Sequence, residues 1–222
     1  MSDFDKLYSH EAISIHFYKN RMKGENAMKH ILIFFVILNL LACSSKLYRE
    51  TPDAELKGYI DVRWVDNDYF LFVPNKEKPF RLIRTDGKTI QPGLMYTDGG
   101  SIPRILWGVK GLSPWGHAPA YIAHDWLFEA KHCGYPPYNG YSFQDSVDVL
   151  AEALKAAMES NPKTRNYFIF DSIVTAVSSP IAKNLWENGK CNPPPIDADK
   201  IRQMYLLGEE LPGQLITTVG YE

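Results

Sequence analysis

The hydrophobic period of this chain changes from two to three-and-four near Pro103, and that change decides its fold class. Before it, Tyr59-Ile60-Asp61-Val62-Arg63-Trp64-Val65 alternates, breaks at Asp66-Asn67-Asp68 and resumes as Tyr69 to Val73, which predicts a β-hairpin. Phe80 to Arg84 and Lys88 to Gln91 flank Asp86-Gly87, a favoured tight-turn dipeptide, and predict a second one. After it, Ala118 to Lys131, Ser142 to Met158 and Thr164 to Trp186 carry apolar residues at helical spacing, for instance Val147, Leu150, Ala151, Leu154 and Met158. Strands this short are not stable alone and must pack on the helices. The expectation is therefore an α+β fold, short antiparallel β-hairpins followed by a bundle of three to four helices.

Local signals place the helix ends. Ser142 and Asn161 suit N-terminal caps, Pro119 a first turn and Gly189 a C-terminal stop, while Pro180 should kink or split the third helix. A last short helix is expected over Asp197 to Leu207, and residues 211–222 are read as a tail. Hydrophobic residues make up 45% and charged residues 23%, which is ordinary globular composition and excludes wholesale disorder or a polytopic membrane protein. With 24 Lys plus Arg against 26 Asp plus Glu, the net charge of −2 gives no drive toward nucleic acid.

A twelve-residue uncharged run from Ile31 to Ala42 follows Met28-Lys29-His30 and precedes Cys43-Ser44-Ser45. A spanning helix needs about 20 apolar residues, whereas the apolar region of a signal peptide needs about 7 to 15 with a small residue at the cleavage point. The run fits the second case, and Leu40-Leu41-Ala42-Cys43 resembles a bacterial lipoprotein lipobox, in which the Cys thiol receives a diacylglycerol and becomes the new N-terminus. On this reading residues 1–27 lie upstream of the true start at Met28, 28–42 are the signal peptide, 43–56 a polar tether and 57–210 a single globular domain. The membrane, engaged through lipid on Cys43, is the expected partner. Because Ser44 and Ser45 lack an inner-membrane retention acid, the outer membrane is favoured. Cys133 and Cys191 then remain in an oxidising compartment, where thiols tend to pair, and a disulfide between them is expected.

Two stretches could carry chemistry: Tyr96-Thr97-Asp98-Gly99-Gly100-Ser101-Ile102-Pro103-Arg104 ending in Trp107, and Ala123-His124-Asp125-Trp126-Leu127-Phe128. On a helix, His124 shares its face with Ala120, Tyr121, Leu127 and Phe128. An imidazole so placed is either a core residue or a general base whose basicity and tautomer a nearby carboxylate restores. Asp148, at the border of the next helix's apolar stripe, is the candidate carboxylate, while Asp145 and Glu152 fall on the polar side. Asp98 could orient a cation or cap its turn, and Gly99 and Gly100 permit close backbone approach to a ligand. A tight connection from sheet to helix explains the same loop equally well. Pro103 stands where a nucleophile elbow needs its last Gly, and neither His-Glu-x-x-His nor a phosphate-binding loop occurs.

The residues Thr97, Asp98, Gly99, Ser101, Ile102, Pro103, Arg104, Trp107, His124, Asp125, Leu127, Phe128 and Asp148 resemble the pattern of the bacterial and phage family called domain of unknown function 1353. That resemblance spans roughly Gly93 to Gly189 and brings no settled activity. The family's Arg ahead of the helical Asp is missing, since Phe143-Gln144-Asp145 stands there after a Gly-Tyr-Pro-Pro-Tyr-Asn-Gly insertion. A more distant similarity joins the same stretches to bacterial secreted phospholipases A2. That likeness implies His124 as base, Asp148 as its orienting acid and Asp125 with loop carbonyls near Asp98 as a calcium site, while Thr97, Gly99, Gly100, Ser101, Arg104 and Trp107 are the candidate loop or substrate residues. The two function classes expected are thus a lipid-anchored hydrolase of envelope esters and a noncatalytic envelope or phage-associated module.

Overall fold

The computed structural model describes residues 46–66, 69–97, 114–191 and 198–222. Its strands are β1 (Ala54–Asp66), β2 (Tyr69–Pro74), β3 (Arg81–Arg84), β4 (Thr89–Ile90), β5 (Met95–Thr97) and β6 (Gln214–Tyr221). The helices are α1 (Ala118–Cys133), α2 (Phe143–Ser160), α3 (Tyr167–Val177), α4 (Pro180–Asn188) and α5 (Ala198–Leu207). Strands followed by helices make the α+β class that the periodicity predicts, with one strand added at the end.

The named strands pair antiparallel, centred on β1. The first four residues of β1 pair with β3, which continues to β4, while Ile60 onward pairs with β2, which continues to β5. β6 lies on β1 from Gly58 to Trp64. The strand changes partners at Gly58, whose φ is +79°. A Cβ there would lie 2.1 Å from the Pro79 carbonyl oxygen, so only glycine lets the two backbones approach. Alternation does the rest. Leu56, Ile60 and Val62 point inward beside Phe72, Phe80 and Leu82, and this inner face meets Leu150, Leu154 and Met158 of α2.

The helix ends follow the capping chemistry, with one exchange. Ser142 accepts from the Asp145 amide while the Asp145 carboxylate accepts from the Ser142 amide, a reciprocal capping box that starts α2. Pro119 sits in the first turn of α1, and Pro180 splits the expected third helix into α3 and α4. Asn161 both ends α2 and stands at the N-cap of a short 3-10 turn, Pro162–Thr164, without a side-chain capping bond, and Asn166 caps α3 by accepting from the Ile169 amide. Gly189 does follow α4, in an extended conformation.

Two boundaries are corrected. The supposed tether 43–56 already contains structure: residues 46–50 are helical, Tyr48 is buried in the core and β1 begins at Ala54. The supposed tail 211–222 contains β6, a partner of the central strand. Cys43 and the proposed signal peptide lie outside the described residues.

Candidate functional site

His124 lies in the middle of α1 on a face made of Ala120, Tyr121, Ala123 and Leu127, each 3% exposed or less. α2 closes over this face through Val147, Leu150 and Ala151, and Phe128 sets its ring 5.0 Å from the imidazole. The result is an imidazole with no exposed surface. Its Nδ1 lies 2.9 Å from the Ser146 carbonyl oxygen. A carbonyl can only accept, so Nδ1 carries the proton and Nε2 presents a lone pair. Nε2 is buried and has no hydrogen-bond partner among the described residues.

Desolvation is the main cause of a low His124 pKa, about 4, and the Ser146 hydrogen bond opposes it only in part. The folded protein therefore holds a neutral ring that the unfolded chain would protonate near pH 6.5. Because the folded pKa is depressed, this contribution to stability is complete above about pH 6.5 and is lost as pH falls toward about 4. Between pH 7.5 and 4.5 the loss should be about 2 to 3 kcal/mol. Urea midpoints at those two pH values check it: His124→Leu should flatten the difference, and an unchanged difference would assign the acid sensitivity to other groups.

The acid expected to hold His124 does not do so. Asp148, one helix away, accepts at 2.8 Å from the Gln144 side-chain amide, and its charge helps to raise the pKa of Arg84. Backbone, not carboxylate, orients the ring. Sequence could not have shown this, since a carbonyl acceptor is common to every residue type. Ser146 itself is fully buried and spends its hydroxyl on the Phe143 carbonyl at 2.7 Å.

Asp125 is half-buried, one turn from Tyr121. Burial first, and the Asp125 charge second, push the Tyr121 phenol well above its ordinary range. Thr97 ends β5 opposite Phe70 and is half-buried. Asp98, Gly99, Gly100, Ser101, Arg104 and Trp107 lie outside the described residues, so the supposed loop-and-calcium half of the site is not part of this geometry. Trp126 is a core residue: its indole covers Gly93 and stacks on Tyr135 with centroids 5.8 Å apart.

Among the described residues, one group of three donors has metal-binding spacing, Glu129 with Cys133 and Cys191. The two cysteines are joined in a disulfide with Cα atoms 4.7 Å apart, as the cysteine count predicts, and so cannot also serve as thiolate ligands. Asp125 belongs to no such group among the described residues, and Asp98, its expected companion in a calcium site, lies outside them. A cleft of about 620 Å³ opens at the bend of β1, between Glu55, Lys57, Tyr59, Lys78 and Arg81, and contains none of the residues singled out from sequence. Comparison with protein-family models, curated proteins and solved structures gives no match.

Proposed function

We propose that this chain is a lipid-anchored protein of the bacterial cell envelope, most compatible with the outer membrane, in which the His124 region is a structural lock between α1 and α2. The enclosed imidazole carries the second half of this reading. A general base must reach a substrate proton, directly or through one water, whereas this ring has no exposed surface and spends one nitrogen on backbone. The apolar run ending at Cys43 supports the anchor, and the Cys133–Cys191 disulfide suits an oxidising compartment. The likeness to domain of unknown function 1353 fits such a module, envelope or phage-associated, without adding an activity.

One observation favours the hydrolytic reading instead. A neutral His with Nδ1–H fixed by a carbonyl and an unpaired Nε2 lone pair has the tautomer a general base uses. Acting on phospholipid or other envelope esters would require solvent to reach that lone pair. The two readings separate in one assay: protein purified from membranes, beside His124→Gln, incubated with phospholipid vesicles and with peptidoglycan, each with and without calcium. The lock predicts that neither protein exceeds the uncatalysed background. Turnover by the parent that falls by about 100-fold or more in folded His124→Gln would establish the hydrolase.

A further inference from the structure

We infer that residues 46–50, the connection 161–166 and the first turn of α3 form the face this protein lays on an anionic bilayer, with Phe168 and Tyr167 seated among the headgroups. The inference rests on lipidation of Cys43 and adds what that reading leaves open, the side of the fold that meets the membrane. Only Ser44 and Ser45 separate Cys43 from Lys46. Three Cα-to-Cα steps reach at most about 11 Å, so a lipid on Cys43 keeps residue 46 that close to the acyl layer. A longer tether would leave the fold free to turn; this one does not.

Tyr48 fixes which surface lies beside the anchor. Its buried ring meets Tyr167 and Phe170 edge-on, with centroids 4.9 and 5.0 Å away, and its hydroxyl donates to Glu159 Oε1 at 2.5 Å. The end of α2 and the start of α3 therefore flank residues 46–50. Every residue from 161 to 168 is exposed, Phe168 at 63% and Tyr167 at 40%, and Leu47 on the anchor side is 37% exposed. Aromatic rings displayed to water gain by moving to a bilayer interface, where their apolar bodies are buried and a phenol stays wet.

Charge agrees. These segments hold Lys46, Arg49, Lys163 and Arg165 against Glu50, and Glu159 stands beside them at the end of α2, so together they carry 4 − 2 = +2, within a chain whose total is −2. Basic groups beside a short apolar insertion attract anionic headgroups and add to a lipid anchor.

The test uses the full chain, extracted from membranes and reconstituted in vesicles of phosphatidylcholine and phosphatidylglycerol containing brominated acyl chains. Intact mass first reads acylation of Cys43. In Phe168→Trp, the tryptophan emission added over the parent should fall about twofold with bromination, the depth expected of an interfacial helix. In Leu206→Trp, at an exposed position of α5, the added emission should be unchanged by bromine and quenched by acrylamide. An unmodified Cys43 would overturn both the anchor and this face. A lipidated protein whose Phe168→Trp emission is quenched no more than that of Leu206→Trp would overturn the face and leave the anchor standing. Equal quenching in vesicles of phosphatidylcholine alone would overturn the role of anionic headgroups.

Discussion

Replacing Arg84 by Met should cost about 3 to 5 kcal/mol of folding stability, because it strands a carboxylate inside the fold. Arg84, at the end of β3, donates from Nε and Nη2 to both oxygens of Glu152 on α2, each at 2.7 Å. The side chains are 9% and 3% exposed. The hydrogen bond to Glu152 is the main reason the guanidinium pKa stands above its ordinary value. A planar fork meeting a carboxylate in this way satisfies both groups at once, and a single-partner deletion leaves the survivor desolvated and uncompensated. Changing Glu152 to Leu in the Arg84→Met background should restore most of the loss, since an apolar pair of similar volume avoids the burial of charge. Urea denaturation of the two variants and the parent supplies the comparison. A single variant within about 1 kcal/mol of the parent would show that water reaches Glu152 freely.

Removing the disulfide should cost about 4 kcal/mol. The bridge runs from the last residue of α1 to Cys191 beyond α4 and spans 58 residues, so it closes a loop containing α2, α3 and α4. Most of the effect lies in the unfolded chain, whose ends the bridge holds together. Native packing does not depend on it alone: Phe128 of α1 meets Trp186 of α4 edge-on at 4.8 Å, and His132 Nε2 lies 3.2 Å from the Trp186 carbonyl oxygen. Cys133→Ser/Cys191→Ser should accordingly keep its near-ultraviolet spectrum at 25 °C while unfolding at lower urea. Stability equal to that of the oxidised parent would mean that the two thiols are not paired in the isolated protein.

What could be read from sequence was what repeats. The alternation in β1 and β2, the Asp86-Gly87 turn and the stripe of α2 each reflect a periodic demand of burial, so the class and most elements followed. β6 escaped because only Val219 and Tyr221 of its eight residues are even half-buried, so no alternation marks it. Glu152 escaped for the opposite reason. Its position on the helix suggested the polar side, yet it is 2% exposed, because Arg84 arrives from a strand 68 residues earlier. The candidate site failed at the same level. Apolar neighbours correctly marked His124 as inward-facing, but which atom would meet Nδ1 depended on the tilt of α2 against α1. Asp148 and the Ser146 carbonyl are two residues apart in sequence, yet the carbonyl meets the imidazole and the carboxylate meets Gln144.

The pairing of β1 with β6 has a bearing on how such a chain is made. Synthesis proceeds from the N-terminus, and the Gly58–Trp64 stretch of one edge of the longest strand waits for residues 214–221. Until residues 214–221 have emerged, nascent β1 offers open backbone amides and carbonyls along Gly58 to Trp64, and the sheet cannot close. For a chain proposed to cross a membrane in extended form, such a delay would keep this hydrogen-bonded ladder from assembling until both of its strands have passed through.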